Sequence, residues 1–130
     1  MKVNTDTLEN RVLDYAVGKA EALRGLKQPF NHDDLSYPVF PSPSFRPSTD
    51  RHQCGIITER EKISVISPKI YRIGKERHSF PANNWRAMHQ YDENELAIHA
   101  RGESPMEAAM RCYVKKVFGE YVEIPDNLLK

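Results

Sequence analysis

Apolar residues recur at helical spacing near both ends of the chain and follow a different rhythm between them. From residue 5 to residue 25, Leu8, Val12, Tyr15/Ala16, Lys19 and Leu23 fall at intervals of three and four. Leu13, Val17 and Ala20 widen that stripe, which predicts a first helix. Asn4, Thr5 or Thr7 is positioned to cap its start, and Gly25 stands where a C-terminal cap glycine belongs. Gly18 inside it costs about 1 kcal/mol relative to alanine. Residues 105–118 predict a last helix more sharply. Ser104 and Glu107 have the spacing of a capping box, and Pro105 occupies the first helical position, where its missing N–H does no harm. Met106, Ala109, Met110, Tyr113, Val114 and Val117 line one face, and Gly119 stops the helix.

The middle of the chain reads as extended. Residues 55–66 predict a central strand, with Ile57, Glu59, Glu61, Ile63 and Val65 on one parity and Ile56, Thr58, Arg60, Lys62, Ser64 and Ile66 on the other. Ile70, Tyr71 and Ile73 predict a short strand inside a basic 67–82 segment broken by Pro68, Gly74 and Pro81. Trp85-Arg86-Ala87-Met88 predicts another strand, residues 92–102 a polar connector, and 122–124 an extended run along the sheet before Pro125. Five of the nine prolines fall in 28–50, interleaved with Phe30, Tyr37, Phe40 and Phe45. Proline excludes a long helix or a central strand there, and four aromatics exclude a plain linker. The segment reads as an extended loop that covers the core, with one short strand near 36–40. Together the elements predict an α+β fold: a small, mostly antiparallel sheet with the N- and C-terminal helices packed on one face, in one domain over residues 1–130.

Composition narrows the function classes. Nineteen Lys and Arg against eighteen Asp and Glu leave a net charge of +1, so no bulk charge draws the chain to nucleic acid or to an anionic membrane. Near-zero net charge also favours self-association, and a homodimer is an expectation. No apolar run approaches the ~20 residues of a membrane-spanning helix, and Met1 is followed by polar residues rather than a signal-peptide core. Cys54 and Cys112 are then expected as free thiols in a reducing, cytoplasmic compartment.

Several blocks resemble the NinX-like family of small bacteriophage and prophage proteins. They are Leu13-Asp14-Tyr15-Ala16-Val17-Gly18-Lys19-Ala20, Pro47-Ser48-Thr49-Asp50 with the Ile57-to-Ile63 segment, Trp85-Arg86-Ala87, Ala108-to-Val114, and Val122-Glu123-Ile124-Pro125. The chain departs from the family pattern at Cys54-Gly55, where a glycine-proline is expected, and at Tyr15, where a tryptophan is expected. The resemblance implies a phage origin, a small single domain and, as its compartment, the cytoplasm of the bacterial host. It carries over no activity and no site residue.

Ser48, Thr49 and Asp50 form a hydroxyl–carboxylate turn, and Glu59, Arg60 and Glu61 follow on the segment read as a strand. The turn is a candidate site for a polar ligand or a structural Asx-type turn, with Arg60 pairing a neighbouring acid. Arg60, Arg86 and Arg111 are candidate anion contacts and Trp85 a candidate stacking platform. His52-x-Cys54 is the one close histidine–cysteine pairing, too little for a zinc site, and no metal or cofactor is expected. Cys112, one position from the apolar face of its helix, reads as a buried hydrophobe, and Cys54 as the more exposed thiol. Nucleotide-binding glycine motifs and nucleophile elbows are absent from the sequence. These readings favour a non-enzymatic accessory protein that binds a host or phage protein or a small polar ligand. The alternatives are a small enzyme using Asp50, Glu59 and Glu61, or weak nucleic-acid binding through Lys69, Tyr71, Arg72, Lys75 and Arg77.

Overall fold

Helix α3 (Pro105–Phe118) is the element around which the others are arranged. Ser104 Oγ accepts the N–H of Glu107 at 3.1 Å, and Glu107 Oε1 accepts the N–H of Glu103 at 3.0 Å, a reciprocal cap that fixes where the helix begins. Gly119, at φ +84°, ends it. One face buries Ala108, Ala109, Met110, Cys112, Tyr113 and Val114. The structure, a computed structural model, describes residues 1–24, 45–67, 70–73, 76–79, 85–89 and 97–129.

Strands β2 (Ser64–Ile66), β5 (Trp85–His89) and β6 (Ile98–Gly102) form an antiparallel sheet in the order β2-β5-β6, and α3 packs on one face of it. Ala87, His89, Ala100 and Gly102 are buried on that face. Gly102 is required there: a Cβ would lie 2.7 Å from the Ala108 backbone nitrogen. Strands β3 (Ile70–Ile73) and β4 (Glu76–Ser79) make a separate hairpin. Strands β1 (Lys2–Asn4) and β7 (Tyr121–Glu123) make a third, two-stranded sheet beside the start of the chain. Helices α1 (Asn10–Leu23) and α2 (Arg51–Glu61) pack against α3, so all three helices lie on one side of the β2-β5-β6 sheet. The α+β class predicted from the pattern holds.

The structure corrects four of the sequence boundaries. Residues 55–66 are not one strand. Asp50 Oδ1 accepts the N–H groups of His52 at 2.9 Å and Gln53 at 3.1 Å and starts helix α2. Lys62, in the left-handed conformation (φ 56°, ψ 47°), ends it, and only Ser64–Ile66 is extended. The β-branched run Ile56-Ile57-Thr58 favours a strand locally, and burial of Cys54, Ile57 and Glu61 at helical spacing overrides it. The first helix starts at Asn10 rather than residue 5, because Asn4 caps a separate 3-10 turn at Thr5–Thr7. Its buried stripe is Leu13, Ala16, Val17 and Ala20, while Leu23 is 69% exposed. Residues 98–102 of the expected connector are strand β6, whose inward positions are Ile98 and the small residues Ala100 and Gly102, a short and faint apolar signal. The extended run after Gly119 pairs with β1, not with the central sheet. The expected strand near 36–40 and the Gly25 cap lie outside the described residues.

Candidate functional site

A buried charge cluster joins the C-terminal parts of the three helices. Glu21 on α1 is fully buried, and Glu61 on α2 is 4% exposed. Arg60 bridges them: its Nη2 donates to both Glu21 oxygens at 2.9 and 3.0 Å, and its Nε donates to Glu61 Oε2 at 2.7 Å. Arg24 Nη1 and Lys116 Nζ each donate to Glu61 Oε1 at 2.6 Å. The Tyr113 hydroxyl, fully buried on α3, donates to Glu21 Oε2 at 2.9 Å and accepts from Arg60 at 3.3 Å and Arg24 at 3.4 Å. Both guanidinium groups also lie within 6 Å of the Tyr113 ring, at 5.7 and 5.9 Å.

The electrostatics are those of a structural lock. Burial alone would raise the Glu61 carboxyl, but hydrogen bonds from Arg60, Lys116 and Arg24 hold it down at about 2. Burial, reinforced by the Glu21 carboxylate, pushes the Tyr113 phenol above its usual range. Three cations face two carboxylates here among the described residues. The partial negative charge at three helix C-termini offsets the excess. The sequence signal for this cluster was a charge on an apolar stripe: Leu13, Val17 and Glu21 stand four residues apart on α1, as do Tyr113 and Val117 on α3. Sequence reasoning assigned no role to Glu21 or Arg24, read Tyr113 only as part of the apolar face of α3, and read Lys116 only as a charge near that helix's C-terminus.

The turn at 46–50 is fixed in a second way. Thr49 and Asp50 donate their N–H groups to the Arg46 carbonyl at 3.0 and 2.7 Å, and Ser48 donates its N–H to Asp14 Oδ1 at 2.8 Å. Asp14 is 5% exposed. Burial raises its carboxyl above the ordinary value, opposed by the Ser48 N–H, by the nearby Ser48 hydroxyl and by Arg46 and Arg11. The Ser48 hydroxyl is buried with no hydrogen-bond partner among the described residues.

The nine nominated residues are therefore placed apart. Ser48, Thr49 and Asp50 stand at the N-terminus of α2. Glu59, Arg60 and Glu61 stand about 13 Å along its axis. Arg60 and Glu61 turn inward to the cluster, and Glu59 is exposed. Arg111 donates from Nε to the Leu8 carbonyl at 2.6 Å and from Nη1 to the Arg101 carbonyl at 2.9 Å, so it ties α3 to backbone. Trp85 is half-buried against the core opposite Gly102, and Arg86 points to the other sheet face. Cys54, expected as the more exposed thiol, is 5% exposed, and burial pushes both cysteines up to about 11. Among the described residues no group of three or more His, Cys, Asp or Glu side chains is arranged to hold a metal ion. The basic residues Lys69 and Lys75 lie outside the described residues.

The outer face of the β2-β5-β6 sheet is not covered by any described helix. It carries Ser64, Met88 and His99 in one cross-strand row and Ile66, Arg86 and Arg101 in the next. Ser64, His99 and Arg101 are exposed, and Ile66, Arg86 and Met88 are half-buried. Of the described helices, α3 is the one packed closely on this sheet, and it packs on the opposite face. The free edge of β6 is covered: Lys115 Nζ donates to the His99 carbonyl at 3.2 Å, beside the Arg111 bond to Arg101. No described helix is long and apolar enough to cross a membrane. Residues 4–116 match the family model described as Bacteriophage P22, NinX. No curated protein matches the chain.

Proposed function

The chain belongs to the Bacteriophage P22 NinX family, and from that premise we infer that it is a phage accessory protein that acts by binding another protein rather than by turnover. The observation that carries this reading is the outer face of the β2-β5-β6 sheet. Met88 and Arg86 lie on its central strand, Ile66 adds an apolar side chain on β2, and Arg101, His99 and Ser64 supply exposed hydrogen-bonding groups around them. A face that mixes apolar, arginine and hydrogen-bonding side chains suits a protein partner. Methionine adapts to a partner's contour, and arginine is enriched among interface anchors.

The state of the reactive groups supports binding over catalysis. Both thiols are buried and held protonated at neutral pH. Glu61 is committed to three cations, Asp14 to the 46–50 turn, Asp50 to the cap of α2, and Glu107 to the cap of α3 and to Arg111. None of these carboxylates has the freedom a general base needs.

The test is affinity capture from phage-infected host cells with the wild type and with Arg101→Glu and Met88→Glu. A partner should be retained by the wild type and lost from both variants while their circular dichroism melts stay within a few degrees. A partner retained equally by all three would rule out this face. Turnover of a substrate that survives both changes would replace binding with enzymology.

A further inference from the structure

We propose that the outer face of α2 is a self-association surface, on which a second copy of the chain packs its own α2 antiparallel across Gly55. This inference concerns a different surface from the sheet face and stands or falls separately from it. Gly55 lies in the middle of an eleven-residue helix, where glycine is unfavourable, and it is exposed. Packing among the described residues does not require it, since a Cβ built there meets none of their atoms within 4 Å. Its φ is not positive, so the backbone does not require it either. A bare stretch of helix backbone that none of the described residues uses is what close approach of another helix would use.

The residues on either side identify that helix. Arg51 precedes Gly55 by four positions and Glu59 follows it by four, both exposed. Neither makes an ion pair within the chain among the described residues. They stand about 12 Å apart along the axis, too far to pair with each other. A two-fold axis through Gly55 sets antiparallel helices so that position 55 + k faces position 55 − k. Arg51 of one copy then meets Glu59 of the other, twice, by the same operation. Residues at i and i ± 4 form one ridge, and interlocking such ridges is the commonest helix crossing in globular proteins. His52 faces Thr58 across the same axis, and the half-buried Ile56 adds apolar contact beside Gly55. A partner of uniform charge would satisfy one of the two ions and repel the other; the chain's own α2 satisfies both. The near-neutral net charge of +1 offers little repulsion between copies. One short helix pair buries less than a standard interface, so the dimer is weak, with a dissociation constant on the order of 100 μM.

Sedimentation equilibrium of the full chain at about 0.5 mM tests this. The wild type should be partly dimeric. Gly55→Leu, Arg51→Glu and Glu59→Arg should each weaken association roughly tenfold or more with unchanged circular dichroism. An equimolar mixture of Arg51→Glu and Glu59→Arg should associate again, within about threefold of the wild type, because each acidic α2 then meets a basic one. A strictly monomeric wild type at that concentration overturns the proposal. So does a dimer that all three variants leave within twofold, or a mixture that stays as weak as its components.

Discussion

Glu61 and Asp14 are buried to the same degree, at 4% and 5% exposure, yet their carboxyls are displaced to opposite sides of the ordinary range. The desolvation that penalises the charged form acts on both. Glu61 overcomes it with Arg24, Arg60 and Lys116, whose nitrogens all lie within 2.7 Å of its oxygens. Asp14 accepts a hydrogen bond from the neutral Ser48 N–H, with the Ser48 hydroxyl, Arg46 and Arg11 acting more weakly from around it. The comparison teaches that burial of a charge says little by itself. What decides its effect is whether the partners are ionised donors in contact or a dipole and distant charges.

The largest break in this comparison comes from removing the bridging cation. Arg60→Leu leaves Glu21 with the Tyr113 hydroxyl as its hydrogen-bond donor among the described residues, in a site with no exposure. We expect a loss of about 3 kcal/mol in urea unfolding. Glu21→Gln in the same background should recover at least about 1 kcal/mol, since the uncompensated charge is then gone. A loss under about 1 kcal/mol for Arg60→Leu would mean that the cluster contributes little to holding the three helices together.

Acid titration sharpens the comparison because the two groups enter with opposite signs. Glu61 is held below its ordinary 4.5, so its contribution is complete above that value and is lost as pH falls toward about 2. Asp14 is held above its ordinary 3.8, so its contribution is most favourable below that value and is lost as pH rises through its higher folded value. Between about pH 5 and pH 2, Glu61→Gln should flatten the loss of stability on acidification, and Asp14→Asn should steepen it. The divergence expected is about 1 kcal/mol or more, read from chemical unfolding at steps of half a pH unit. Parallel profiles for the two variants would show that the two carboxyls titrate alike in the folded state.

How far the sequence could anticipate these sites follows from how each element is specified. Helix α3 is written redundantly: Ser104, Pro105, Glu107 and Gly119 mark its ends, and its apolar face agrees with them. Helix α2 is written once, by Asp50, and its inward face includes a charge at Glu61 in place of an apolar residue. A pattern search that counts charges as outward reads that face as the wrong parity, and Ile56-Ile57-Thr58 then tips the segment toward a strand. The same substitution of charge for apolar surface concealed Glu21 and Asp14 on α1. Their partners, Arg60, Tyr113 and Ser48, stand 39, 92 and 34 residues away in sequence. No local spacing reports a pairing over such separations. The nominated turn was legible as a turn, because its hydrogen bonds are local, but its tie to Asp14 was not.

The smallest expected effect isolates the weaker of the two carboxyl sites. The Ser48 hydroxyl is buried beside the Asp14 carboxylate, close enough to help lower its pKa, yet without hydrogen-bond geometry to any described residue. A buried hydroxyl that makes no hydrogen bond contributes desolvation cost without return, so Ser48→Ala should leave stability unchanged or raise it by about 0.5 kcal/mol at neutral pH. In the Asp14→Asn background the expectation reverses. The new amide can accept the Ser48 N–H through its oxygen and donate to Ser48 Oγ through its nitrogen, so removing the hydroxyl there should cost about 1 kcal/mol. The double-mutant cycle over Asp14→Asn and Ser48→Ala therefore reads a coupling of about 1 kcal/mol that the wild-type pair lacks. A cycle that closes to zero would mean the hydroxyl already bonds the Asp14 carboxylate. The contrast with Glu61 would then be one of donor charge alone, rather than of donor number as well.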